Sequence, residues 1–123
     1  MIEKIVLDYL SSALTETIGS TTVAIPVSME VPSQPTPQKY VVVEKTGSSK
    51  INRIPTANIA VQSCAASLYE AALLNEQVKA AMENIVTLAA VGGCYLDTDY
   101  NFTDTSTKTH RYQAVFRITY MEA

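Results

Sequence analysis

His110 is the only histidine in the chain, so nucleophile–base chemistry would have to bring it beside an activated Ser or Cys and an orienting carboxylate. Asp97 or Asp99 could supply that carboxylate, and a small enzyme built on this pair is one reading of the sequence. His110 is flanked by Thr109 and Arg111 at the start of a strand, which is the setting of a surface or hairpin residue, and no catalytic residue is expected. Asp97, Asp99 and Asp104 offer oxygen ligands for a hard cation, with Asp97 and Asp99 expected on the same strand face. Strand alternation accounts for them equally well, no EF-hand pattern surrounds them, and no metal is expected.

The remaining motifs fail on spacing. Thr46-Gly47-Ser48-Ser49-Lys50 superficially resembles a phosphate loop, but Ser49 stands where the second glycine is required and Ile51 follows the lysine. Gly92-Gly93 lacks the third glycine and the strand-to-helix context of a dinucleotide site. Both read as turns, and no cofactor is expected. Cys64 and Cys94 have neither a CxxC partner nor a neighbouring histidine and read as buried thiols. Asn101-Phe102-Thr103 matches a glycosylation acceptor by chance. Lys45, Lys50 and Arg53 place three positive charges in one expected loop of an acidic chain, which reads as an ordinary solvated loop or as a patch suited to an acidic partner surface. A nucleic-acid module using the same three residues is a further alternative.

Composition narrows the function classes. The chain has 123 residues, 47% of them hydrophobic, enough for one domain spanning residues 1–123 with its own core. Only 17% are charged, below the roughly 25% usual for soluble domains, and mean hydropathy is +0.09. Such a surface is weakly protected against association, which either limits solubility or serves an interface with another chain. A net charge of -3 and a pI near 5.0 argue against broad contact with a phosphate backbone. Glu3, Lys4 and Asp8 interrupt the apolar N-terminus, so it is neither a signal peptide nor a membrane span, and a soluble intracellular protein is expected.

The elements that must position these residues follow from periodicity. Ile2, Ile5, Val6, Tyr9, Leu10, Ala13, Leu14 and Ile18 form one helical stripe, predicting a helix to about Thr17 with Gly19 as its stop. Val23-Ala24-Ile25 reads as a short edge strand before Pro26. Pro32, Pro35 and Pro37 make residues 31–38 an extended loop. Residues 40–45 read as a strand, 46–50 as its turn, and 59–65 as a half-buried partner strand in a wide hairpin. Ser67-Leu68-Tyr69-Glu70 is a capping box opening a second helix, with Ala71, Leu74, Val78, Ala81, Met82 and Ile85 as its apolar stripe. Cys94, Leu96, Thr98, Tyr100 and Phe102 alternate with Asp97, Asp99 and Asn101, and after a turn at 103–108 a last strand runs over 112–121. The resulting α+β class is a mostly antiparallel sheet of about five strands with both helices on one face, in the order α-β-β-β-α-β-β.

With that order in place, the chain resembles the tail-terminator or tail-completion family of long-tailed bacteriophages and their prophages. The resemblance covers most of the chain. It rests on the element order, the small size, the helix from Ser67 onward, and the closing residues 95–104 (YLDTDYNFTD) followed by 111–116 (RYQAVF). It implies a structural virion-assembly protein, not an enzyme, that forms a ring, usually hexameric, on the growing tail tube. The ring stops tube polymerisation and offers the head-attachment surface. Implied partners are copies of itself, the major tail tube protein and head-tail connector proteins, with genomic DNA passing through the lumen without sequence-specific binding. Implied locations are the host cytoplasm during assembly and the tail-neck region of the virion. Another neck component, such as a connector or minor capsid protein, is the alternative. Lys45, Lys50, Arg53, Asp97, Asp99, Asp104, Lys108 and Arg111, on the loop at 46–53 and the terminal hairpin, form the candidate subunit or partner interface.

Overall fold

A computed structural model describes residues 1–33 and 36–121, the side chain of residue 51 excepted. The expected Pro35 therefore lies outside the described residues. Helix α1 (Ile2–Ala13) is followed by a small hairpin of β1 (Thr15–Ile18) and β2 (Thr21–Ala24), then by the two-residue β3 (Val27–Ser28). The main sheet continues with β4 (Tyr40–Ile51) and β5 (Ile54–Ala65), helix α2 (Leu68–Glu83), a short 3-10 turn at Ile85–Thr87, β6 (Val91–Asn101) and β7 (His110–Tyr120). Its strand order is β3-β4-β5-β7-β6, antiparallel throughout except for the β3–β4 pair. The α+β class and the five-stranded, mostly antiparallel sheet stand as the sequence pattern implied.

Both helices cover one sheet face. Ile2, Val6 and Leu10 of α1 and Leu74, Val78 and Met82 of α2 share one buried cluster with Val43, Ile59, Val61, Ala114, Phe116 and Ile118. The Tyr9 hydroxyl donates to the Ala81 carbonyl at 2.6 Å, fastening the helices to each other. The capping box is present: the Ser67 side chain accepts from the Glu70 amide at 3.2 Å. Because that bond satisfies one of the free amides at the helix start, Ser67→Ala should cost about 1 kcal/mol, read as a lower urea midpoint at unchanged m-value.

Three local expectations are corrected. Helix α1 ends at Ala13, not near Thr17. The β-branched Thr15, Thr17 and Ile18 pair with Thr21–Ala24 across a tight turn, where Gly19 adopts a φ of 63°, and local pairing of such residues outcompetes a further helical turn. The β4 turn is not at residues 46–50. The strands stay paired to Ile51↔Ile54, a bulge at Thr46 absorbs the glycine-containing stretch, and Asn52 and Arg53 turn the chain with φ of 52° and 68°. Two left-handed residues in succession make the tight turn that matches strand twist. Strand β5 is buried on both faces rather than half buried, because short side chains such as Ala60 and Cys64 lie beneath longer neighbours on the face the helices leave uncovered.

Candidate assembly interface

The eight charged candidates do not form one patch. Lys45 points toward α1, with Nζ 3.7 Å from Glu3 Oε2. Lys50 lies five residues further along β4 and Arg53 in the hairpin turn, so Lys45 and Lys50 are roughly 17 Å apart at about 3.3 Å per residue. The single basic loop expected from residues 45–53 is therefore replaced by a projecting hairpin tip bearing Arg53. Asp104, Lys108 and Arg111 gather at the opposite end of the sheet, lining a hollow with Tyr40, Cys64 and Thr107. The 12 residues of β5 span roughly 36 Å between these two ends.

Each residue of the second group has a local role. Asp104 Oδ1 accepts from the Ser106 amide at 3.0 Å and its hydroxyl at 2.6 Å. These bonds, the Ser106 hydroxyl foremost and Thr107 next, hold the Asp104 carboxyl down at about 2. Such an aspartate closes its own turn. Lys108 sits in that turn with a φ of 56°. The Arg111 guanidinium lies 4.6 Å from the Phe102 ring centroid and donates from Nε to the Phe102 carbonyl at 2.6 Å. Phe102 in turn meets Tyr100 edge-on, with centroids 5.9 Å apart.

Asp97 and Asp99 do not share a face. A bulge between Leu96 and Thr98 leaves Asp97 unpaired and shifts the alternation, so that Asp99 stands opposite Ala114 on the helix side while Tyr100 stands opposite Gln113. An extra residue in one strand has this consequence because side chains alternate with a period of two. Asp99 Oδ2 accepts from Asn75 Nδ2 at 2.9 Å and from Lys79 Nζ at 3.0 Å. The bond from Lys79 pulls the Asp99 carboxyl below its ordinary value, burial opposes this, and the Asn75 amide adds to it. Lys79 is raised by its bonds to Glu76 and Asp99. Asp99 thus fastens β6 to α2. It is not brought to His110, which pairs with Ala65. Asp99 faces Ala114, four residues along β7 from His110 and about 13 Å away at about 3.3 Å per residue. Among the described residues, no group of three or more His, Cys, Asp and Glu side chains converges on a cation site.

The sequence reading missed a groove between α2 and β6. It has a volume of about 420 Å³ and is lined by Glu76, Lys79, Ala80, Met82, Glu83, Cys94, Tyr95, Leu96 and Phe116. Apolar side chains make its floor and two carboxylates its rim. Burial raises the Cys94 thiol to about 11, so it is an inert part of that floor. The only signal in the sequence was that Glu76, Lys79 and Glu83 lie off the apolar stripe of α2. The groove borders an open sheet edge, since β6 ends the strand order. At the other edge β3 pairs only with Val41 and Val42, so from Val43 onward β4 is paired with β5 on one side and with no strand on its outer side among the described residues. The face away from the helices carries a ladder in which Gln62 donates to Gln113 and Gln113 to the Tyr100 hydroxyl. Open edges and exposed aromatics such as Tyr95, 58% exposed, are features of surfaces that associate.

No family model matches the sequence, and no curated protein matches it. Among solved structures, the fold is similar to a chain of the virion of a native gene transfer agent (GTA) particle, with a TM-score of 0.50 over 76% of this chain and 77% of that one. The two chains are 13% identical, and the likeness establishes a shared fold. No helix among the described residues is long and apolar enough to cross a membrane.

Proposed function

We propose that this chain is a structural component of a phage-like virion, without catalytic activity, that acts as a tail terminator. Copies of it form a ring, a hexamer in this reading, that caps the tail tube, stops its polymerisation and presents the surface to which the head attaches. The observation that carries the proposal is the fold shared with a GTA virion chain on a subunit with two different open sheet edges. A heterologous contact repeated by rotation requires two unlike surfaces per subunit, and closure leaves no free end. The partners in this reading are the major tail tube protein below and head-tail connector proteins above.

The charge distribution supports the same reading. With a net charge of -3 and cations dispersed to opposite ends of the sheet, such a ring would let DNA slide through its lumen, because retention needs many phosphate contacts at once. The test is a tube-growth assay. Purified chain added to polymerising tail tube protein should stop elongation at substoichiometric amounts, leaving shorter tubes as its concentration rises. Tube length independent of added chain would overturn the terminator role.

A further inference from the structure

Two features on opposite sides of the sheet carry opposite charge beside exposed apolar surface. The first is the β4–β5 hairpin tip. Arg53 is exposed and holds a φ of 68°, in a turn whose second position favours glycine. Backbone geometry does not favour an arginine there, which makes its exposed side chain the feature to account for. Beside it Ile54 is 53% exposed. The second feature is the groove on the β6 side, with Glu76 and Glu83 on its rim and Met82, Leu96 and Phe116 in its floor. Lys79 does not neutralise this rim, because its charge is shared between Glu76 at 2.9 Å and Asp99 at 3.0 Å. Glu83 makes no ion pair among the described residues.

We propose that the Arg53–Ile54 tip of one copy seats in the α2–β6 groove of the next. This rests on the ring reading and names its subunit contact. The Arg53 guanidinium pairs with the Glu83 carboxylate at the rim, a charge-assisted bond strengthened where water is displaced, and Ile54 covers Leu96, which is 42% exposed. The occupant is a second copy because the same chain offers both halves, a cationic and apolar tip and an acidic-rimmed apolar groove, with β7 and the length of β5 between them. Tip and groove are different patches, so the contact is heterologous and propagates around an axis.

A reciprocal charge exchange tests this, with assembly followed by sedimentation velocity and on purified tail tubes. Arg53→Glu and Glu83→Arg should each weaken assembly by about tenfold or more, and the double variant should recover most of the loss. Arg53→Gly separates assembly from folding: it relaxes the turn, so the melting temperature should hold or rise while assembly falls. Single variants that assemble like the wild type, or a double variant no better than its parents, would overturn the contact and leave the ring reading standing. A wild-type chain that assembles neither alone nor on tubes would instead overturn the ring reading, and this contact with it.

Discussion

Phe116→Ala should lower stability by about 3–5 kcal/mol, the cost of removing a buried aromatic side chain and leaving a cavity. Phe116 is 2% exposed and stands between Ile59 of β5 and Leu96 of β6, so the strands on both sides of β7 pack against it. Few neighbours can close the gap, because β7 is held rigidly between two hydrogen-bonded partners. Against a typical total of about 5–15 kcal/mol for a folded domain, the loss should move the urea midpoint far down at an unchanged m-value. The same ring is part of the groove floor, so a folded fraction of this variant should also assemble poorly. A shift below about 1 kcal/mol would mean that Phe116 is not packed as described.

Asp99→Ala should cost about 2 kcal/mol, because it removes the partner of two donors and leaves the Asn75 amide buried without one. Asn75 is only 2% exposed and its Oδ1 already lacks a partner, so water cannot replace the lost bond cheaply. The pH dependence carries the same signature. Asp99 is lowered in the folded state by Lys79 first and by Asn75, so its contribution is fully present above the unfolded carboxylate value of about 3.9 and is lost as pH falls through the lower folded value. Lys79, raised by Glu76 and Asp99, contributes below about 10.4 and loses that contribution as pH rises through its folded value. The wild type should therefore lose this tie between β6 and α2 in acid, and a urea-midpoint profile of Asp99→Ala should run flatter than the wild type below about pH 4. Parallel profiles for the two chains would contradict the assignment.

How much of this was legible in the sequence depends on the range of the interaction. The Ser67 cap, the apolar stripe of α2 and the terminal hairpin are set by residues a few positions apart, and each is found where its spacing predicts. The bulges at Thr46 and Asp97 leave no local mark, since an extra residue in a strand is fixed by its partner's register. They nonetheless shape the interface, because β4 stays paired through the first as far as the turn at Asn52–Arg53, and the second turns Asp99 from the aspartate row toward α2. The end of α1 was misread because Leu14 and Ile18 continue the helical stripe, while the competing strand pairing at Thr15–Ile18 depends on Thr21–Ala24 across the turn. The groove was invisible for a related reason: Glu76 and Glu83 on α2 meet Cys94, Leu96 and Phe116 only after the helix docks on the sheet.

In the proposed function, copies of this chain close into a ring at the end of a tail tube. Electron microscopy of the purified chain mixed with preformed tail tubes tests it most directly. One closed ring should sit on one end of each tube, with a matching discrete mass for the assembly. Tubes with bare ends beside a strictly monomeric chain, or chain bound along the tube wall rather than at its end, would contradict it.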